Sequence, residues 1–268
     1  MILRQLRACL DIEGMNKKWG VRSLFLVLFL LRCQVAIIPF GDSDFASFWI
    51  WYKDFSEVVN ANDTSKTYEM LSSMPLTTGN WIYLLWSAFV LILCVVGIGL
   101  YAAMYIRSLR IQLVSKAKEA GDNSFASRVR APISVGKLVF RLIIGTIAYL
   151  IVFMMFFSIL SYFAIVLIFI TPIIVMIPAF YLSGDAGLIA SVKQGFTYSK
   201  GYFFSLSYVV SIVLMLSYLL NSILSIVGNY SEPIASVLVS FVNVYSCLAI
   251  GRAIGISYCN MIDRVFTS

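Results

Sequence analysis

Residues 81–106 read WIYLLWSAFVLILCVVGIGLYAAMYI, a run that contains no charged side chain and is followed at once by Arg107. At about 1.5 Å per residue, a helix of this length measures roughly 39 Å and can cross a hydrocarbon core of about 30 Å. The rest of the chain agrees, because 60% of its 268 residues are hydrophobic and only 12% are charged. A single water-soluble core could not bury that much apolar surface. The sequence therefore predicts an all-α integral membrane protein of the cell (cytoplasmic) membrane.

Other apolar runs of similar length predict a polytopic fold with six transmembrane helices in one membrane domain. The run 139–182 carries no charge beyond Arg141 and would form about 66 Å of helix, twice the bilayer core. We therefore expect it to turn between 157 and 162 and to cross twice. The predicted spans are residues 21–40, 81–106, 138–157, 162–182, 202–227 and 234–258.

The loop charges predict that the N and C termini are both cytoplasmic. Residues 1–22 hold five basic residues against Asp11 and Glu13, and eight basic residues lie between 107 and 141. The stretch 41–78 has the opposite balance, with six acidic residues against two lysines. By the positive-inside rule the basic segments stay in the cytoplasm. The predicted non-spanning segments are the cytoplasmic N-terminus 1–20, the outer segment 41–80, the basic cytoplasmic segment 107–137, the cytoplasmic connector 183–201 and the cytoplasmic tail 259–268.

Two short segments have the pattern of amphipathic helices that lie along the membrane surface. Residues 45–52 are too short to span and are rich in the aromatic side chains that settle at the headgroup level. In the connector, apolar residues recur at helical spacing from Leu188 to Phe196. We expect the first helix on the outer surface and the second on the inner one.

The composition argues against most kinds of catalytic or metal site. The chain contains no histidine, and its five cysteines include no C-x-x-C pair, which leaves no disulfide framework and no zinc site to predict. The predicted spans contain no Asp or Glu, and ion-coupled transporters usually carry carboxylates on the ion path. We predict no catalytic residue, no cofactor and no metal, hence not an enzyme. The charge of the 107–141 stretch is explained by anionic headgroups at the inner face, without nucleic acid.

Two arginines are candidates for contact with an anion or a lipid. Arg32 lies some 10 residues into the first predicted span, about 15 Å deep, and a central arginine is costly unless it is satisfied. Its partner could be a backbone carbonyl, an amide such as Asn221 or Asn243, water, or an anionic ligand or lipid phosphate. The alternative is a packed arginine with local thinning of the bilayer. Arg252 lies about two turns from the inner edge of the sixth span, where it can extend to the surface.

Gly251 and Gly255 form a small-xxx-small pair in the sixth span. Small residues at this spacing let two helices approach closely. The contact could lie within this one bundle or join two copies of the chain in a homo-oligomer.

The sequences IPAFYL at 177–182 and GLIASVKQGFTYSKG at 187–201, followed by an aromatic-led helix, carry a resemblance to a bacterial group. Over residues 138–263 the chain resembles the YciC-like membrane proteins and the membrane domain attached to some glycerophosphodiester phosphodiesterases. The resemblance implies a six-helix bundle of the bacterial cytoplasmic membrane and transfers no catalytic residue.

These observations favour a non-enzymatic membrane protein that interacts with lipid or serves as an accessory subunit of a membrane complex. Its expected partners are membrane lipids with anionic headgroups at the inner face, and a protein partner is possible. The alternative is a transporter or permease subunit for a small or anionic substrate, which six spans and a fourth helix containing Pro172 and Pro178 would suit.

Overall fold

The computed structural model describes residues 2–13, 18–119, 132–160, 176–199 and 203–262, and these ranges contain helices and no strand. A further helical stretch covers 176–182. The helices are α1 (Ile2–Leu10), α2 (Lys18–Ile37), α3 (Ala46–Asn60), α4 (Thr64–Ser72), α5 (Thr78–Glu119), α6 (Val135–Leu160), α7 (Leu188–Ser199), α8 (Phe203–Gly228) and α9 (Glu232–Ile262).

Four stretches are long and apolar enough to cross a membrane, namely Trp19–Ile37, Thr78–Lys116, Leu206–Gly228 and Glu232–Ile262. They leave many large apolar side chains exposed, as expected of surfaces whose solvent is lipid. Examples are Leu26, Val27, Leu30, Leu85, Leu91, Leu214, Met215 and Ile223. The expected fourth span, 162–182, lies mostly outside the described residues.

The helices differ from what the sequence pattern suggested in three respects. α5 does not end at 106 but continues through Arg107 to Glu119, because residues 107–119 contain no glycine or proline and include good helix formers. The predicted outer segment holds two helices, α3 and α4, where one short helix was expected. α1 was not predicted at all.

The core of the described part is a seam between α5 and α9, which run parallel. A Cβ atom added at Gly251 would lie 2.7 Å from the carbonyl oxygen of Ile98. One turn further, a Cβ at Gly255 would lie 2.7 Å from Cδ1 of Tyr105 and 3.4 Å from the carbonyl oxygen of Ala102. Only glycine allows this approach of backbone to backbone, so the small-residue pair faces α5 within the bundle.

The start of α5 is held to the chain that follows α2 by one buried amide. The side-chain oxygen of Asn80 accepts from the backbone N–H and the hydroxyl of Thr77, at 3.0 and 2.9 Å. Its nitrogen donates to the carbonyls of Asp42 and Asp44, at 3.0 and 2.9 Å. Asn80 therefore joins two segments almost forty residues apart, and fixes where α3 begins relative to α5.

Gly251→Ala should lower the stability of the protein by about 1–3 kcal/mol, because the added methyl group meets the backbone of α5. The matched control is Gly136→Ala, where a Cβ meets nothing within 4 Å and alanine should be neutral or stabilising. Thermal unfolding of both variants in detergent, followed by circular dichroism, makes the comparison. Equal melting temperatures for the two would contradict the tight seam.

Candidate functional site

The N-terminal helix α1 packs on the bundle at the end where α2 begins. Cys9 and Ile12 are buried in the same apolar cluster as the α5–α9 seam. The carbonyls at the end of α1, which lack helical partners, accept hydrogen bonds from two tyrosines. The hydroxyl of Tyr245 donates to the carbonyl of Leu10, and that of Tyr101 donates to the carbonyl of Ile12 at 2.6 Å. The end of α1 is thus anchored to both helices of the seam.

Arg252 of α9 lies beneath the end of α1 and is only 6% exposed. Its Nη2 is 3.7 Å from Oδ2 of Asp11, longer than the 2.7–2.9 Å of a good charge-assisted hydrogen bond. Among the described residues, its Nε and Nη1 have no hydrogen-bond partner. A buried donor left unpaired costs about 1–3 kcal/mol, so Arg252 is a cation with unused binding capacity.

Other groups make this buried charge tolerable without using those donors. The guanidinium carbon lies 5.2 Å from the centre of the Tyr105 ring, a cation–π distance. The end of α1 presents the negative pole of a helix dipole nearby. The hydroxyl of Tyr101 donates its hydrogen to Ile12, and its oxygen lies beside the guanidinium as an acceptor.

Arg252 forms the floor of an open cleft, which we call the Arg252 cleft and which is lined by Arg7, Ala8, Asp11 and Arg252. Its volume of about 560 Å³ falls in the range of roughly 300–1,000 Å³ that is usual for ligand pockets. Two of its side chains are guanidinium groups and one is a carboxylate, so the cleft has a net positive wall. Guanidinium groups are the side chains best suited to bind phosphate.

A second charged group, near the same end of α9, is buried and is not open to a ligand. Arg110 and Asp185 form a bidentate ion pair with distances of 3.2 and 2.8 Å, and their side chains are 1% and 7% exposed. Tyr258 donates to the same carboxylate, and its hydroxyl lies 2.9 Å from the hydroxyl of Ser183. Because all these groups have partners, the network holds the connector against α5 and α9 and has no free group to offer a ligand.

Two more arginines of the basic stretch 107–141 donate to backbone carbonyls, Arg141 at the start of the connector and Arg107 in the segment before α6. Arg141 donates from Nη1 to the carbonyls of Tyr181 and of Ala186, the latter at 2.7 Å. Arg107 donates from Nε to the carbonyl of Ile133 at 2.9 Å. The turn between Tyr181 and Ala186 needs Gly184, because its φ of +88° would strain any other residue. Part of the positive charge expected at the membrane surface is therefore used inside the fold.

The other predicted arginine, Arg32, occupies a different place. α2 ends at Ile37, only five residues beyond Arg32, which corresponds to about 8 Å of helix. Arg32 is thus nearer the end of the span than the sequence indicated. Asn221, one of its suggested partners, donates instead to the side-chain oxygen of Asn243 at 2.8 Å. The structure does not bring Arg32 and Arg252 together.

Sequence reasoning singled out Arg252 but missed Arg7, Asp11 and Asp185 beside the two charged groups. The sequence does contain a pattern that predicts α1, because Leu6, Cys9 and Leu10 lie on one face of a helix. Asp185 could have been suspected as the one acidic residue in an otherwise basic connector. Its partner, 75 residues earlier, could not be identified from the sequence.

Asp185→Asn should destabilise the protein by about 3–5 kcal/mol, because it removes the carboxylate from the buried ion pair with Arg110. The matched control is Glu13→Gln, which breaks the ion pair of Glu13 with Arg22, whose side chains are about half exposed. Such an exposed pair contributes about 0–1 kcal/mol. Unfolding in detergent should separate the two variants clearly, and a similar small effect for both would contradict the buried network.

The Cys9 thiol should report whether α1 is docked. Burial raises the pKa of Cys9 to about 11, so the reactive thiolate is scarce at pH 8. In a protein whose other cysteines are replaced by alanine, we expect slow alkylation whose rate still rises above pH 9. Tyr245→Phe removes a hydrogen bond to α1 and should speed labelling about 2- to 10-fold. Tyr230→Phe, at an exposed residue, is the control, and equal rates for both variants would contradict the docking.

Comparison of the chain with family models, with curated proteins and with solved structures finds no match. The resemblance of residues 138–263 to the YciC-like proteins stays a prediction from the sequence. The function of the chain is therefore to be inferred from the chemistry of its own residues.

Proposed function

We propose that the chain is a non-enzymatic integral membrane protein that binds the phosphate group of a membrane lipid in the Arg252 cleft. It acts by interacting with lipid directly or as an accessory subunit of a membrane complex. In this proposal the chain crosses the cell membrane six times with both termini in the cytoplasm, so that α1 and the cleft lie at the inner face.

Helix length and the position of α1 support this arrangement. Besides the four candidate spans, α6 has 26 residues, about 39 Å of helix, and is long enough to be a fifth. Asp11 lies eight residues before Trp19, where the first candidate span begins. A group at this level would lie near the lipid headgroups, where a phosphate is the most abundant anion.

The observation that carries the proposal is the unused donor capacity of Arg252. A buried arginine that only filled space would normally have all its N–H groups paired. Nε and Nη1 are enclosed and have no partner among the described residues, and Nη2 has only the Asp11 carboxylate at 3.7 Å. A ligand in the cleft would therefore meet Nη2, together with the second guanidinium that Arg7 brings to the same cleft. A phosphate supplies several acceptor oxygens and a negative charge, which is what these two side chains lack.

A transporter or permease subunit for a small or anionic substrate is the second candidate. Arg32 favours it, because within the described residues no hydrogen bond or ion pair of its guanidinium is present. If this candidate is right, Arg32→Leu should abolish uptake of an anion by proteoliposomes. If the lipid proposal is right, Arg32→Leu should leave lipid retention at the Arg252 cleft unchanged.

Native mass spectrometry of the protein extracted in mild detergent tests the lipid proposal. The wild-type chain should retain phospholipid, and Arg7→Gln should reduce the retained fraction about 10-fold, since a charged hydrogen bond contributes about 1.5–3 kcal/mol. Arg7 is exposed, so this variant should still fold. Arg252→Lys keeps the charge but lacks the several N–H donors that a guanidinium holds in one plane. Its retained fraction of lipid should also fall.

The control is Arg22→Gln, which removes an exposed arginine paired with Glu13 outside the cleft. Its lipid retention should equal that of the wild type. Equal retention in all four proteins would contradict a lipid site in the cleft. A stoichiometric protein partner in the wild-type spectrum would identify the chain as an accessory subunit.

A further inference from the structure

The wall of the Arg252 cleft carries both signs of charge. Arg7 and Arg252 are cationic, and the carboxylate of Asp11 lines the same space. The Asp11 side chain is 62% exposed, whereas that of Arg252 is 7% exposed. The positive floor is therefore bordered by a negative group that is free to turn toward the opening.

A purely anionic headgroup does not suit this wall. Its phosphate would gain from the two arginines but would also approach the Asp11 carboxylate, and like charges at short distance repel. The contact of 3.7 Å between Asp11 and Arg252 is too long for a strong ion pair. Each partner can therefore bind another group at little cost.

We infer that the Arg252 cleft selects a zwitterionic phospholipid headgroup, binding its phosphate through Arg7 and Arg252 and its ammonium through Asp11. The inference rests on the proposed function and names the class of lipid. One ligand then supplies acceptors to Nη2 of Arg252 and to the Arg7 guanidinium, and donors to the exposed carboxylate. Both signs of charge on the wall are matched at once.

The chemistry of the wall further favours a primary ammonium over a quaternary one. A primary ammonium has three N–H donors, as in lysine, and a carboxylate accepts them well. A quaternary ammonium has none and is recognised by cages of aromatic rings. The lining residues Arg7, Ala8, Asp11 and Arg252 include no aromatic side chain. An ethanolamine-type headgroup fits this set better than a choline-type one.

The test compares three phospholipids with identical acyl chains and with ethanolamine, choline or glycerol headgroups. Each is added in pairs at equal concentration to delipidated full-length protein in detergent, and the adducts are counted by native mass spectrometry. The wild-type chain should favour the ethanolamine lipid about 10-fold over both others. Equal adducts, or a preference for the glycerol or choline lipid, would overturn the inference.

Asp11→Asn is the decisive variant, because the amide has the same shape and lacks the charge. Its preference for ethanolamine over glycerol lipid should fall from about 10-fold to about one, because the ammonium of the ethanolamine lipid loses its charged partner. Glu13→Gln removes a carboxylate that pairs with Arg22, not one that lines the cleft, and should keep the full preference. An unchanged preference in Asp11→Asn would overturn the inference.

The design separates this inference from the proposed function. Arg7→Gln and Arg252→Lys could lose all three lipids while the wild type does not discriminate among them. That result would support lipid binding in the cleft and contradict the role of Asp11. If the arginine variants retain every lipid, the proposed site itself fails. Soluble phosphoethanolamine in tenfold excess distinguishes a lipid from a free ligand, since it should leave the lipid adduct in place. Complete displacement would overturn the assignment to a lipid.

Discussion

The close contact of α5 with α9 is the constraint on which the rest of the described structure depends. Gly251 and Gly255 let the backbones of the two helices meet, with Ile98 and Tyr105 on the other side. In lipid, apolar side chains gain little from leaving their surroundings, so helices associate through close packing and polar contacts. The seam supplies the packing, and the groups that hold α1 and the connector are built on its two helices.

Two buried arginines show opposite solutions to the problem of a charge inside an apolar bundle. Arg110 is matched by Asp185 and Tyr258, so its network is closed and stabilises the attachment of the connector. Among the described residues, Arg252 has a distant carboxylate, an aromatic face and the Tyr101 hydroxyl beside it, and it borders an open cleft. A charge that the protein itself satisfies is structural, and one that it leaves partly unsatisfied is the better place to expect a ligand.

The interior of the described bundle otherwise contains few side chains that could bind a metal or act in catalysis. The ranges that are described contain no group of three or more residues with metal-binding side chains, and the whole chain contains no histidine. What distinguishes this protein is the placement of cations near the end of the bundle where α1 packs. That placement couples the N-terminal helix to the proposed lipid site, because Arg7 and Asp11 come from α1 and the residue that follows it.

The sequence by itself determined that the protein is helical and that several helices are long and apolar enough to span a membrane, because chain length and hydrophobicity are local properties. It also singled out Arg252 and the Gly251–Gly255 pair, since both stand out against an apolar run. Only the tertiary structure decided what they meet. The pairing of Arg110 with Asp185, the docking of α1 and the meeting of Asp11 with Arg252 join residues 75 to more than 200 positions apart. Such contacts depend on how the helices pack in three dimensions, and no local pattern in the chain encodes them.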